Sequence, residues 1–459
     1  MTIAARTCSP AWLLVFVAMV LTPLGAQAIP AFARKTGLSC SACHEAWPRL
    51  NEFGQQFRDN GYRLRRGKDA PTEQSPFYWP ITFRTTTGYQ WLRQTLQPAD
   101  NHDPTMPAGT VTTQTGTFGF TGLDIHTAGT LGDKISFFIT YTPGLKSSGF
   151  GLAPSDGNLE SAWAGFHEIF GTTWLNVRVG KHALDLPEDE HRTLTLTQGY
   201  TSYHYHPAGS AVTFEHGNNQ VGLELFGHDD LSRLRYSVSL VNANGAPLGN
   251  TFISSPLVWG HLQGRLHFNN DLLAGAKLGV FGALGWQPTA FETLTPTGGV
   301  PSPLVGSGFA HVPYRRLGGE AHLYFLSDIY PLTLTGVMTY GSEDQALISG
   351  VAPDGTAVSA TSDASFIGWW AELSYTPMVN LVVLARAERL RVNNQGVATN
   401  PPNLSRLTTF TGALRYTMEL TNRTEVALHL EVSSSTKVVD ASGNDPNVLT
   451  GLAGIDFAF

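Results

Sequence analysis

The chain has 459 residues, a formal net charge of -7, only 14% charged residues, 48 glycines and 42% hydrophobic residues. That length admits two or three soluble domains, but so few charges beside so much glycine, threonine and aromatic character point to a long run of strands. Basic and acidic residues are interleaved, so no nucleic-acid partner is indicated, and no phosphate loop, nucleotide fingerprint or Ser-His-Asp arrangement stands in the sequence.

Residues 1–28 read as a secretory signal peptide. Arg6 is an early positive charge, an apolar stretch runs from Ala11 to Leu21, and Ala26-Gln27-Ala28 forms a cleavage site ahead of Ile29. The apolar run is well short of the ~20 residues that a membrane-spanning helix needs. Cys8 leaves with the signal, so the mature chain keeps Cys40 and Cys43 alone.

Residues 29–79 form a short, slightly basic unit. Two cysteines exclude a four-cysteine zinc site. A disulfide three residues apart would contribute little, and a redox C-x-x-C would want a βαβ context that is absent. His44 directly after Cys43 completes C-x-x-C-H, which selects a single covalent haem c. Two thioethers from Cys40 and Cys43 hold the porphyrin, and His44 is presented to the iron as proximal metal ligand. Leu50, Phe53, Phe57, Tyr62 and Leu64 recur at helical spacing, with Asn60-Gly61 as the helix stop. They would cover the porphyrin edge. So short a unit buries little core of its own, and its support must come from whatever encloses it.

Residues 80–459 change to period two. Val258, Leu262, Leu266 and Phe268 share one face, while Trp259, His261, Gln263, Arg265 and His267 take the other. Val426, Leu428, Leu430 and Val432 likewise oppose Glu425, His429 and Glu431. Strand candidates lie near 80–91, 115–127, 133–142, 157–168, 172–180, 219–227, 232–243 and 255–268. Eight more lie near 276–286, 315–325, 332–340, 365–376, 379–390, 408–418, 423–432 and 450–459. Connections alternate short and long, and the last strand ends on Phe459, as in outer-membrane barrels. An even sixteen strands, give or take two, places both ends in the periplasm, with outer-membrane lipid around the barrel. The stretch 209–216 is placed inside the loop 181–218 because a seventeenth strand would break the alternation. The predicted fold is therefore all-β: a transmembrane antiparallel outer-membrane barrel behind a short helical haem segment. Arg84, Arg178, Glu224, Arg265, Glu320 and Arg415 line a polar lumen able to hold that segment.

Ala33-Arg34-Lys35-Thr36-Gly37, Cys40-x-x-Cys43-His44, Pro48-x-Leu50-Asn51-x-Phe53-Gly54, Phe57 and Gly61-Tyr62 resemble the N-terminal segment of the fused monohaem cytochrome c–porins. That family includes the outer-membrane iron oxidases. Over the barrel the resemblance is one of architecture. It implies a haem c on Cys40, Cys43 and His44, ferrous iron at the cell surface as electron donor, and a periplasmic cytochrome c or other carrier as acceptor. The activity it implies is that of an iron:cytochrome c oxidoreductase.

Between Glu45 and Pro80 there is no Met and no second His, so a sixth ligand comes from elsewhere or the site is open. By strand parity His261, His267, His322 and His429 are candidates, as are His102 and Met106 in the first long loop. Loop 181–218 carries His182, Asp185, Glu188, Asp189, Glu190, His191, His204, His206 and His216. Such groups suit a transient ferrous landing place, and a solvated surface loop has the same composition. The rival reading is a solute porin whose haem segment is a plug; another keeps electron transfer but with a different donor or outward flow.

Overall fold

The computed structural model describes residues 32, 35–36, 38, 40–46, 48–64, 80–96, 111–143, 158–196, 199–205, 215–242, 256–270, 272–291, 294–297, 300–303, 308–326, 332–351, 357–378, 380–394, 404–421, 424–439 and 447–458. The signal peptide, His102, Met106, His206 and Phe459 lie outside them.

Sixteen antiparallel strands close into one barrel. They are β3 (Ile81–Leu96), β4 (Val111–Leu131), β5 (Ile135–Thr142), β6 (Asn158–Phe166), β7 (Asn176–His182), β8 (Gln220–His228), β9 (Leu234–Asn242) and β10 (Pro256–His267). The round continues with β11 (Leu273–Phe291), β14 (Gly308–Phe325), β15 (Leu332–Val351), β16 (Ala357–Met378), β17 (Leu381–Asn394), β18 (Leu404–Thr421), β19 (Thr424–Val439) and β20 (Asn447–Ala458). Strand β20 pairs back onto β3, from Ala458↔Arg84 to Asn447↔Thr95, so no edge is left open. Each expected strand is present. Several run past their expected ends: β15 and β16 remain paired to Val351↔Ala357. A further two-stranded hairpin, β12 (Leu294–Thr297) with β13 (Val300–Pro303), stands where a plain loop was expected. Paired backbone satisfies its own hydrogen bonds in water as well as in lipid, so strands need not stop where the apolar pattern does.

Alternation decides which face each residue takes. Val258, Leu262, Leu266, Leu317, Leu430 and Val432 point out and are exposed, whereas Trp259, His261, Glu320, His429 and Glu431 are buried inside. An outward apolar band over a polar interior defines a membrane barrel, because soluble proteins rarely leave so large a continuous apolar surface uncovered. Phe170 and Trp174, at the short 167–175 turn, add exposed aromatics at one rim. Inside, Arg415 pairs with Asp456 (2.8 Å), Arg84 with the same carboxylate (2.9 Å), and Arg178 with Glu224.

The N-terminal segment lies inside this barrel. It comprises α1 (Cys40–Cys43), β1 (His44–Ala46), β2 (Arg49–Leu50) and α2 (Glu52–Asp59), so the expected helical unit also contains a small two-stranded ladder. The Asn51 side chain accepts from Gly54 N–H at 2.9 Å and caps α2; Asn60 and Gly61, at φ 69°, end it. The segment is tied to the wall all round: Arg49 to Glu372, Arg265 to Glu52 (3.0 Å), Arg235 to Asp59 (3.4 Å) and Arg63 to Glu168 (3.3 Å).

The connection from β7 to β8 is the second occupant. It leaves the wall at His182, folds inward through a short 3-10 turn (Glu190–Arg192) and α3 (Thr201–His204), and rejoins the wall at Gln220. Leu184, Leu186, Tyr200 and Tyr203 pack with Trp259, Phe281, Tyr314 and Trp370 from the wall. Leu194 packs with Val382, Leu384 and Ala413. The wholly solvated loop allowed by composition is corrected here: its apolar residues are scattered among charges, and only the facing wall turns them into a core.

Candidate cofactor site

Asn51 sets the local geometry. Its backbone N–H donates to Cys43 O (2.9 Å) and its Nδ2 donates to Ala42 O (3.0 Å), fastening the end of α1 to the start of α2. Gly54 sits against that junction; a Cβ there would lie 2.0 Å from Cys43 O. Cys43 and His44 are thereby held in place and buried. The backbone of Cys40 belongs to α1; its side chain lies outside the described residues.

His44 Nδ1 stands 3.1 Å from Pro48 O and 3.2 Å from Arg49 O. Carbonyls only accept, so the ring proton sits on Nδ1 and Nε2 keeps its lone pair. Burial, aided by the Arg192 charge, pushes His44 down to about 4, so the ring is neutral at pH 7, as a metal ligand must be. Burial also raises the Cys43 thiol to about 11.

A cavity of about 400 Å³ opens beside these two residues, within the size range of small-molecule sites. Its apolar lining includes Phe32, Leu50, Phe57, Tyr62, Phe138 and Trp163. Phe32 meets Phe57 at 5.3 Å and Tyr62 at 4.8 Å, and Tyr62 stacks on Trp163 at 6.1 Å. Arg58, Arg178 and Arg192, with His126, His182 and His191, also line the cavity. The Arg178 guanidinium lies 4.5 Å from the Trp163 ring centre. Flat aromatic walls, guanidinium groups for two propionates, a cysteine and a correctly tautomerised imidazole together fit a c-type haem. Phe53, expected to help cover it, is 39% exposed and does not line the cavity, because its helix face turns away.

Charged groups of the inward connection frame the cavity. His191 bonds Asp189 through Nδ1 (3.1 Å) and Glu160 through Nε2 (3.0 Å). Burial opposes its charge, but these two carboxylates override burial and raise His191 to about 10. Burial would lift Asp189, yet Arg192, His191 and Arg58 hold it well below the usual carboxylate range. Beside the cavity, Asp185 binds Arg235 (2.9 Å) and His261 (3.0 Å), and Glu188 reaches Arg49 (3.6 Å).

The structure redistributes the expected ligands. His261 is closed by Asp185 and by Glu320 (3.1 Å); His322 is closed by Glu320 (2.9 Å) and Thr335 (3.1 Å). His267 pairs with Glu52 (3.2 Å) and His429 with Glu431 (2.9 Å). None of the four lines the cavity. Parity identified them as inward, but strand register sets them away from the cavity, and a carboxylate holds a nitrogen of each, from a distant segment at His261 and His267. His126, which parity equally marks as inward, does line the cavity and had no place among the expected ligands. Of the groups expected to form a ferrous landing place, His204 bonds Glu215 (2.7 Å) and also Glu190. Among the described residues no group of three or more His, Cys, Asp and Glu is arranged to hold a metal ion.

Fold and interior together define a sixteen-stranded transmembrane barrel of the outer-membrane type with an internal plug. No protein-family model and no curated protein matches the chain. Among solved structures it is similar to the outer membrane channel DcaP of Acinetobacter baumannii, with a TM-score of 0.47 and 9% identity over 82% of this chain and 97% of that one. An anion-selective porin from Comamonas acidovorans gives a TM-score of 0.47 and 11% identity over 83% and 99%. OprB of Pseudomonas putida gives 0.46 and 11% over 91% and 99%. The barrel assignment stands on the strand pairing itself.

Proposed function

We propose that this barrel moves electrons, not solutes, across the outer membrane, from ferrous iron at the cell surface to a periplasmic cytochrome c or other carrier. The supporting observation is the position of Cys43-His44: inside the lumen, against an aromatic and arginine-lined cavity, in a pore crossed by a folded segment. A haem c bound there supplies reversible one-electron chemistry.

The chain's own residues do the rest. Cys40 and Cys43 provide attachment, and His44 provides a neutral Nε2 oriented by two carbonyls. Arg58, Arg178 and Arg192 offer cations to carboxylate substituents. The Leu184–Tyr200–Trp259–Trp370 cluster excludes water and bulk solute from the path. Oxidised iron hydrolyses and precipitates, so keeping the metal outside while its electron crosses protects the periplasm.

The test is anaerobic stopped-flow mixing of the oxidised, detergent-solubilised protein with ferrous iron, followed at the reduced c-type haem band. Rapid reduction, abolished in Cys40→Ala and Cys43→Ala, is expected. A haem that reduces with dithionite but not with ferrous iron would sink the iron donor.

A further inference from the structure

Among the described residues, three histidines other than His44 line the cavity: His126, His182 and His191. They are not equivalent. His191 has both nitrogens engaged by carboxylates and carries a proton on each. His126 places Nδ1 3.0 Å from the Thr140 hydroxyl, which can donate or accept, so neither tautomer is imposed. His182 is fully buried, its Nδ1 is 3.1 Å from Gly180 O, and its Nε2 has no hydrogen-bond partner. A carbonyl accepts only, so the proton is on Nδ1 and a lone pair stands unused at Nε2.

Buried imidazole nitrogens normally find a partner, and each exception calls for an explanation. Other buried orphans exist, at His167 Nδ1 and His429 Nδ1, but those residues do not line this cavity. His182 alone among the described residues combines the two properties. It also repeats the arrangement of His44: Nδ1 fixed by a backbone carbonyl, Nε2 left free, the outer-sphere pattern typical of metal-binding histidines.

We propose that the barrel wall completes the cofactor's coordination and that His182, the last residue of β7, is the sixth ligand of the haem iron. The inference rests on the haem reading above. Attachment is therefore contributed by the plug and the distal ligand by the wall, at the point where the chain turns into the lumen. Met106, one of the expected donors, is not required.

The test uses the full chain matured with haem c and purified in detergent, with barrel assembly checked by heat-modifiable gel mobility. A pyridine haemochrome assay first establishes covalent haem; its absence overturns the haem reading itself, separately from the ligand. With haem present, the ferric protein is expected to be low-spin by electron paramagnetic resonance and Soret position. His182→Ala should convert it to high-spin, and added imidazole should restore the low-spin signal. His182→Met should stay low-spin with a higher midpoint potential, because Met/His ligation raises it. His126→Ala should stay low-spin, and His267→Ala, at a histidine that does not line the cavity, should leave the spectrum unchanged. A high-spin native protein, a low-spin His182→Ala protein, or a spin change in His126→Ala instead would overturn the assignment. Should His182→Ala fail to assemble, an unshifted potential in His182→Met would overturn it equally.

Discussion

Asn51 and Gly54 do more for the site than their size suggests. Asn51 joins two short helices through three separate hydrogen bonds, and Gly54 lets their backbones touch. The atom that a Gly54 side chain would strike is the Cys43 carbonyl, which cannot swing aside. Gly54→Ala should therefore displace α1, at a cost of about 3 kcal/mol or more. Its haem-stained band after denaturing electrophoresis should be strongly reduced against total protein. Gly260→Ala, where an added Cβ meets nothing within 4 Å, should leave staining unchanged. His191 gives a pH prediction at the same scale. Its pKa in the folded chain, about 10, lies above the unfolded value of about 6.5. Protons are therefore held more tightly by the folded state, and the stabilisation is complete below pH 6.5 and lost as pH rises through 10. Half-exposed surroundings and salt weaken the effect, so only its direction is predicted. Protease resistance of the inward connection should fall between pH 7 and pH 10, and His191→Gln should flatten that alkaline decline.

At the scale of elements, the plug is a unit too small to hold itself together. Its helix α2 has eight residues, below the length at which an isolated helix persists in water. Tyr62 and Phe57 complete an aromatic cluster only with Trp163 and Phe138 of the wall. Arg49 is buried between Glu372 and Glu188; Glu372 also has Arg386 at 3.6 Å, so loss of Arg49 costs less than the ~3–5 kcal/mol of a fully unpaired buried charge. Arg49→Ala should release the N-terminal segment to proteolysis while the barrel keeps its heat-modifiable mobility. Equal resistance in the two proteins would show that the aromatic cluster alone holds the plug. Sequence periodicity made α2 and its Asn60-Gly61 stop legible. The β1–β2 ladder was not legible, since a two-residue strand has no period to detect.

For the whole molecule, a barrel of sixteen strands ordinarily leaves an aqueous channel. Here the connection between β7 and β8 reaches across it. His191 meets Glu160 on β6, while Leu196 N–H donates to Glu431 on β19 (2.7 Å) and Thr201 N–H to Glu388 on β17 (2.9 Å). With the plug beside it, the lumen is occupied from both sides. In planar bilayers the native protein should show single-channel conductance far below that of an open porin, and excision of residues 184–218 should raise it. A large, steady current through the native protein would favour the solute-porin reading over electron transfer.

What the sequence by itself determined was local in origin. Period-two alternation reports only the two neighbours of each residue, and that suffices for strand positions, the lipid face, the closing strand and an even count of sixteen. C-x-x-C-H is equally local, so the attachment site proposed for a haem rests on five residues. The tertiary structure alone decided which inward groups meet. Parity marked His261 and His322 as facing the lumen, but Asp185 and Glu188, from a connection whose composition also suits a surface loop, bond or pair with their rings. The sequence placed His182 in that same loop, whereas it ends β7, and nothing in its neighbours distinguished it. Its unpartnered nitrogen and its place on the cavity that Cys43 and His44 also line depend on strand register and on two segments folded into the barrel. Those are long-range contacts, and no window of sequence contains them.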